Sequence, residues 1–223
     1  MSPQRKPQGT VLLTGFAPFD GESENPSWDA VRALDGEILA GHRIAARRLP
    51  VAFGESLREL RALIDALRPA LVLCVGQAGG RPNMSIERIA INVDDARIAD
   101  NLGAQPVDVP IVDGGPDAYF STLPIKAMLA SLLDAGIPAE ISQTAGTYVC
   151  NHVFYGLMHA LSQRGDTGIR GGFIHVPYAP TQAERHAGAT GLANDRVADG
   201  LRRVLQTALA TSTDLRLAAG AEY

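Results

Sequence analysis

The chain has 223 residues, 46% hydrophobic and 20% charged, with a net charge of -4, which fits one medium domain able to bury a sizeable core. That acidic balance, with no block of lysine or arginine, excludes a general nucleic-acid partner. Two cysteines exclude a disulfide scaffold, no Cys and His spacing resembles a zinc site, and no apolar run is long enough for a signal-peptide core or a membrane span. A soluble, cytoplasmic protein is expected.

In chain order, residues 1–9 are expected to fray. Thr10–Leu13 is a short apolar run ending in Gly15-Phe16, which predicts a first strand. A loop rich in glycine, proline and acid follows over Phe16–Glu24. Asn25 before Pro26 has the pattern of an N-cap with proline at the first helical position, opening a helix to about Leu34. His42–Val51 alternates weakly, as a second strand. Leu57, Leu60, Leu63, Ile64 and Leu67 share one face of a helix over Glu55–Leu67, stopped before Pro69. The continuous apolar run Leu71–Val75 predicts a central strand buried on both faces, with Cys74 in the core.

Met84–Val93 alternates and predicts one strand carrying polar residues on both faces. Ala96–Ser121, with three prolines, is the least regular stretch; a loop of that length has a function or is covered by a partner. Pro124 opens a helix to about Leu133. A strand over Ala139–Ser142, a helix beginning near Cys150, a strand over Gly172–Val176 and a last helix over Leu192–Leu209 complete the chain, and 211–223 is expected to fray. Strands alternating with amphipathic helices predict a single-domain α/β/α sandwich with a mixed, largely parallel sheet and some antiparallel pairing in the irregular middle.

Ala145-Gly146-Thr147 supplies a sharp turn, after which Phe154, Leu157 and Leu161 recur on one helical face. Cys150 therefore falls at the first turn of a helix, where free N–H groups and the macrodipole favour a thiolate. Five histidines compete as its base. His152 and His159 turn away from the thiol on the same helix, His42 begins a strand, and His186 lies in a polar stretch. His175 stands at the end of an apolar strand, where open α/β sheets place their ligand sites. Glu87, a carboxylate among apolar neighbours, is the best group to orient an imidazole, since a charge there is costly unless paired; an ion pair with a nearby arginine, or an exposed edge strand, is the alternative reading.

Four stretches together resemble pyroglutamyl-peptidase I, a family of cysteine peptidases. They are Thr14-Gly15-Phe16-Ala17-Pro18-Phe19 through Asn25-Pro26-Ser27; Gly76-Gln77-Ala78-Gly79-Gly80-Arg81 through Glu87-Arg88-Ile89-Ala90-Ile91-Asn92; Val149-Cys150-Asn151; and His175-Val176-Pro177. The resemblance implies Cys150 as nucleophile, His175 as general acid and base, and Glu87 as the orienting carboxylate. It implies a pyroglutamate pocket lined by Phe16, Phe19 and Gln77, with Val149 contributing, and a place near the site for Arg97. It also implies a fold similar to the purine nucleoside phosphorylases, a tetramer, and no metal or cofactor. Where the family usually continues its first motif with Gly-Gly, this chain has Asp20-Gly21; Asp tolerates a left-handed backbone well enough to keep the turn. A phosphorylase-like transferase and a non-catalytic binder of pyroglutamyl peptides are the competing readings, and both leave the thiol without a task.

Overall fold

The computed structural model describes residues 7–165 and 168–220. The first half of the chain forms β1 (Gly9–Phe16), α1 (Pro26–Arg32), β2 (Ile38–Leu39), β3 (His42–Leu49), α2 (Glu55–Leu67), β4 (Leu71–Gln77), β5 (Met84–Glu87), β6 (Ile89–Ile91) and β7 (Ala118–Phe120). The second half forms α3 (Ile125–Asp134), β8 (Ala139–Ser142), α4 (Val149–Gln163), β9 (Arg170–Val176), α5 (Pro180–Ala183) and α6 (Asn194–Ala210). Seven strands make one sheet in the order β2-β3-β1-β4-β9-β5-β8.

Alternation along the central strands divides the core into two layers. Val11, Leu13, Leu71, Leu73 and Val75 face α1, α3 and α6. Leu12, Val72 and Cys74 face α2 and α4, where Leu60, Ile64, Phe154 and Leu157 meet them. Cys74 is fully buried, as its strand pattern predicts, and burial pushes its thiol up to about 12.

β1 pairs in parallel with β3 and β4, and β4 with β9. The expected antiparallel pairing is also present: β5 runs against β9, and β8 runs parallel to β5. Two expectations need correction. The alternating stretch Met84–Val93 is not one strand, because the chain leaves the main sheet at Arg88 and β6 joins β7 in a separate antiparallel pair. Nor is Ala96–Ser121 without regular structure, since β7 lies inside it and Asp94 bridges to Val109.

Of the ends expected to fray, residues 1–6 and 221–223 lie outside the described residues. Gly9 already belongs to β1, paired with His42. Past Thr211, Asp214 accepts the N–H groups of Lys126 and Ala127 at 3.0 and 2.9 Å, which caps α3. No helix among the described residues is long and apolar enough to cross a membrane.

Candidate active site

The site forms on the α4 side of the sheet, where β4, β9 and β5 lie side by side. Gly76 pairs with His175, and His175 with Ser85 across the antiparallel join. That register puts Glu87 diagonally across from His175 on the same face. His175 Nδ1 meets Glu87 Oε1 at 2.7 Å, both side chains buried, the carboxylate wholly so. The Phe173 ring packs against the imidazole at 4.9 Å, tilted by 51°. Glu87 Oε1 also accepts from Arg81 Nη1 at 2.7 Å, and this ion pair offsets the cost of burying the charge.

Cys150 arrives by a less direct route than expected. Because β8 runs opposite to β4 and β9, the chain after Ser142 must double back through Gly146, whose φ is 77°. Tyr148 then caps α4, and Cys150 is its second residue. A Cβ placed on Gly76 would lie 2.8 Å from Cys150 Sγ and 2.9 Å from the Phe173 ring. The sulfur is therefore seated directly over the glycine that pairs with His175. Its titration runs against the helix-start argument. Burial pushes the Cys150 thiol up to about 12, the Glu87 carboxylate adds to the rise, and the Arg81 guanidinium opposes it. Loss of hydration is the largest of these influences and favours the thiol, whereas the free N–H groups of the helix start favour the thiolate.

Phe16, Phe19, Gln77, Val149 and Cys150 come together with Asn25, Val51 and Tyr148 around a small cavity of about 10 Å³. Close packing places Phe16. Asn25 Oδ1 accepts from the N–H and hydroxyl of Ser27 at 3.0 and 2.7 Å, and Ser27 Oγ accepts from Phe16 N–H at 3.0 Å. Gly15 permits the approach, since a Cβ there would meet the Trp28 backbone at 2.7 Å. Phe19, Gln77 and Tyr148 also border a larger open cleft of about 430 Å³, further lined by Asp20, Arg97 and Ile98. Asp20 does take the left-handed conformation, with φ 54°, followed by Gly21 at 75°.

Sequence reasoning missed several participants. His152, turned from the thiol and so expected to be a surface or packing residue, is the latter. It is buried, with Nδ1 against Asp94 Oδ2 at 2.8 Å and Nε2 accepting from Gly54 N–H at 3.0 Å. Both nitrogens are engaged away from the thiol, as its helical phase requires. Asn151 holds β6, accepting from Ile91 N–H at 3.1 Å and donating to the carbonyls of Ile91 and Val93 at 2.9 and 3.0 Å. His186 stacks on Tyr178 at 4.4 Å and meets Glu22 Oε1 at 2.9 Å, so it borders the cleft. The polar context of His186 hid this, because its carboxylate partner Glu22 comes from the opposite end of the chain. Among the described residues no cluster of His, Cys, Asp and Glu could hold a metal ion.

A family model described as pyroglutamyl peptidase matches residues 9–211. A pyrrolidone-carboxylate peptidase of Cupriavidus necator is 63% identical over 93% of this chain and 96% of its own length. One of Klebsiella pneumoniae is 58% identical over 96% of this chain and 99% of its own. Among solved structures, pyroglutamyl peptidase I of Bacillus amyloliquefaciens superposes with a TM-score of 0.90 at 47% identity, covering 93% of this chain and all of that one. A mutant pyrrolidone carboxyl peptidase from the hyperthermophile Pyrococcus furiosus gives 0.87 at 40%, covering 90% of this chain and 98% of that one.

Proposed function

The chain belongs to the pyroglutamyl peptidase family and is a cysteine peptidase that removes pyroglutamate, and from that premise we propose that Cys150, His175 and Glu87 carry the reaction. The observation behind this reading is that Cys150 Sγ lies over Gly76, the register partner of His175, while His175 Nδ1 is committed to Glu87 at 2.7 Å. That commitment leaves Nε2 as the nitrogen to take the thiol proton.

Pyroglutamate is a flat, uncharged lactam. Phe16, Phe19 and Val149 bury its ring, and the Gln77 amide and main-chain groups meet its N–H and C=O. A free α-ammonium in the same pocket would lose its hydration without a partner, which rejects ordinary N-termini. The cavity at rest is about 10 Å³, room for roughly one water, so Phe19 and Tyr148 move apart when the ring enters. The larger cleft receives the peptide beyond the scissile bond.

As Cys150 attacks the pyroglutamyl carbonyl, His175 Nε2 accepts the thiol proton. Within α4 the N–H of His152 bonds to Tyr148 O at 3.1 Å; the N–H groups of Val149, Cys150 and Asn151 precede it and are available to the developing oxyanion. His175 then protonates the leaving amine and the C–N bond breaks, giving a thioester. Water, deprotonated by His175, attacks the thioester and returns the thiol with free pyroglutamate. The protein acts as one domain, in the cytoplasm, as a homotetramer. The exposed Ile98, Leu102, Val107 and Val109 of the 92–121 excursion supply an apolar face for subunit contact, and sedimentation tests that assembly.

The deciding experiment is release of a chromogenic amine from a pyroglutamyl amide by wild type and by Cys150→Ser, with glutamyl and prolyl amides as controls. Turnover of the pyroglutamyl substrate alone, abolished in the variant, is the expected result. Turnover that survives the substitution removes Cys150 as nucleophile.

A further inference from the structure

The triad leaves one charged side chain at its centre without a task. Arg81, in the loop between β4 and β5, donates in two directions. Nη1 reaches Glu87 Oε1 at 2.7 Å and Ser142 Oγ at 3.3 Å. Nη2 reaches the Thr144 carbonyl at 2.9 Å, in the segment that leads into α4 and Cys150. The Glu87 oxygen it holds is the one that meets His175, while Glu87 Oε2 is buried without a hydrogen-bond partner among the described residues.

We propose that Arg81 is a positioning residue of the hydrolysis, which fixes Glu87 against His175, cancels the buried carboxylate's charge beside Cys150, and ties the nucleophile's approach segment to the same anchor. The inference rests on the triad reading above. Its physical basis is a conflict inside that triad. A bare carboxylate stabilises the imidazolium that forms on His175, but it repels the negative charge that develops on sulfur. A guanidinium on the same oxygen preserves the hydrogen bond and removes most of the repulsion. The titratable and charged groups around the Cys150–His175 pair are Glu87 from β5, Arg81 from the loop before it, Cys74 from β4, and Tyr148 at the start of α4. Arg81 is the cation among them.

The test is the pH dependence of kcat/KM on a pyroglutamyl amide, and of Cys150 alkylation by iodoacetamide, in wild type, Arg81→Gln and Arg81→Lys. Removing the charge favours the protonated forms of both His175 and Cys150. In R81Q the acid limb of kcat/KM and the alkylation midpoint are therefore expected to move up by about one pH unit, with kcat down about tenfold or more and KM within about twofold. Lysine keeps the charge but not the two-armed fork, so R81K is expected to lose about tenfold in kcat with both midpoints within about half a unit of wild type. R81Q midpoints and kcat matching wild type overturn the proposal. Should R81Q not fold, R81K decides alone, and a wild-type kcat there overturns it. Cys150→Ser run alongside separates the two readings. Activity surviving in that variant sinks the triad, whereas an inactive C150S beside an unshifted R81Q leaves the triad standing and removes Arg81 from it.

Discussion

Gly76→Ala tests the seat of the proposed nucleophile, Cys150, more directly than any substitution of the proposed triad. The added Cβ would lie 2.8 Å from Cys150 Sγ and 2.9 and 3.1 Å from two atoms of the Phe173 ring. Real Cβ atoms do not approach so closely, so something must move. Phe173 is wedged against Phe16, Phe154 and His175 at ring distances of 6.3, 5.8 and 4.9 Å, which leaves the shorter Cys150 side chain to yield. Overpacking of this kind costs about 1–3 kcal/mol, and the stiffer unfolded chain returns about 0.4–1 kcal/mol. The net loss of at most roughly 2.5 kcal/mol lowers Tm by no more than about 10 °C in a chain of this size. The loss of activity is the larger effect, because shifting a reacting atom by about 1 Å lowers the rate about a hundredfold. Gly172→Ala is the control. Its Cβ would meet Leu123 and Ser121 at 2.6 Å on the opposite face, so it should lose comparable stability with kcat/KM within about threefold of wild type, under 1 kcal/mol in the barrier. The assay pairs thermal unfolding with amine release. G76A unfolding a few degrees early but keeping wild-type kcat/KM would refute the placement of the sulfur over Gly76.

Asn151→Ala removes three hydrogen bonds and leaves Ile91 N–H without its acceptor. The expected loss is about 2–3 kcal/mol, a fall in Tm of about 5–10 °C; an unchanged melting curve would show that β6 does not depend on it. Glu22 is held at about 2, below its ordinary 4.5, first by His186 and then by Arg185. A carboxyl whose folded value is depressed stabilises above its unfolded value and loses that contribution as pH falls toward the folded one. Glu22→Gln should therefore be less stable than wild type in urea at neutral pH, with the gap narrowing as pH falls from 4.5 toward 2. A gap that widens on acidification contradicts the assignment.

Local pattern predicted α2, β4 and α4 because their burial repeats within a few residues. The apolar faces of Leu57, Leu60 and Ile64, and of Phe154, Leu157 and Leu161, are the faces found buried. Strand direction lies beyond local pattern. Nothing in Ala139–Ser142 states that β8 runs opposite to β9, and so nothing there requires the return through Gly146 that delivers Cys150. The alternation of Met84–Val93 carries on through Arg88, although the chain changes sheets at that point; the partner of β6, Ala118–Phe120, is distant in sequence. Helical phase correctly turned His152 from the thiol, yet its partners Asp94 and Gly54 come from separate loops. Arg81 stood in plain view in a quoted motif, but its role depends on Ser142 and Thr144, which only the folded chain brings near. The helix start that favours a Cys150 thiolate is local, whereas the burial that opposes it comes from residues distant in sequence, Phe16 and Gln77 among them.

The seat of that sulfur also bears on how long the enzyme survives. Peroxides attack thiolates far faster than thiols and drive them up the ladder from sulfenic to irreversible sulfinic and sulfonic acids. With its partly buried thiol pushed up to about 12 beside a cavity of only about 10 Å³, the idle protein offers an oxidant little of the reactive species. On the proposed mechanism the thiolate forms chiefly while a pyroglutamyl ring fills the pocket and His175 draws off the proton. Damage by peroxide should accordingly track turnover rather than exposure time.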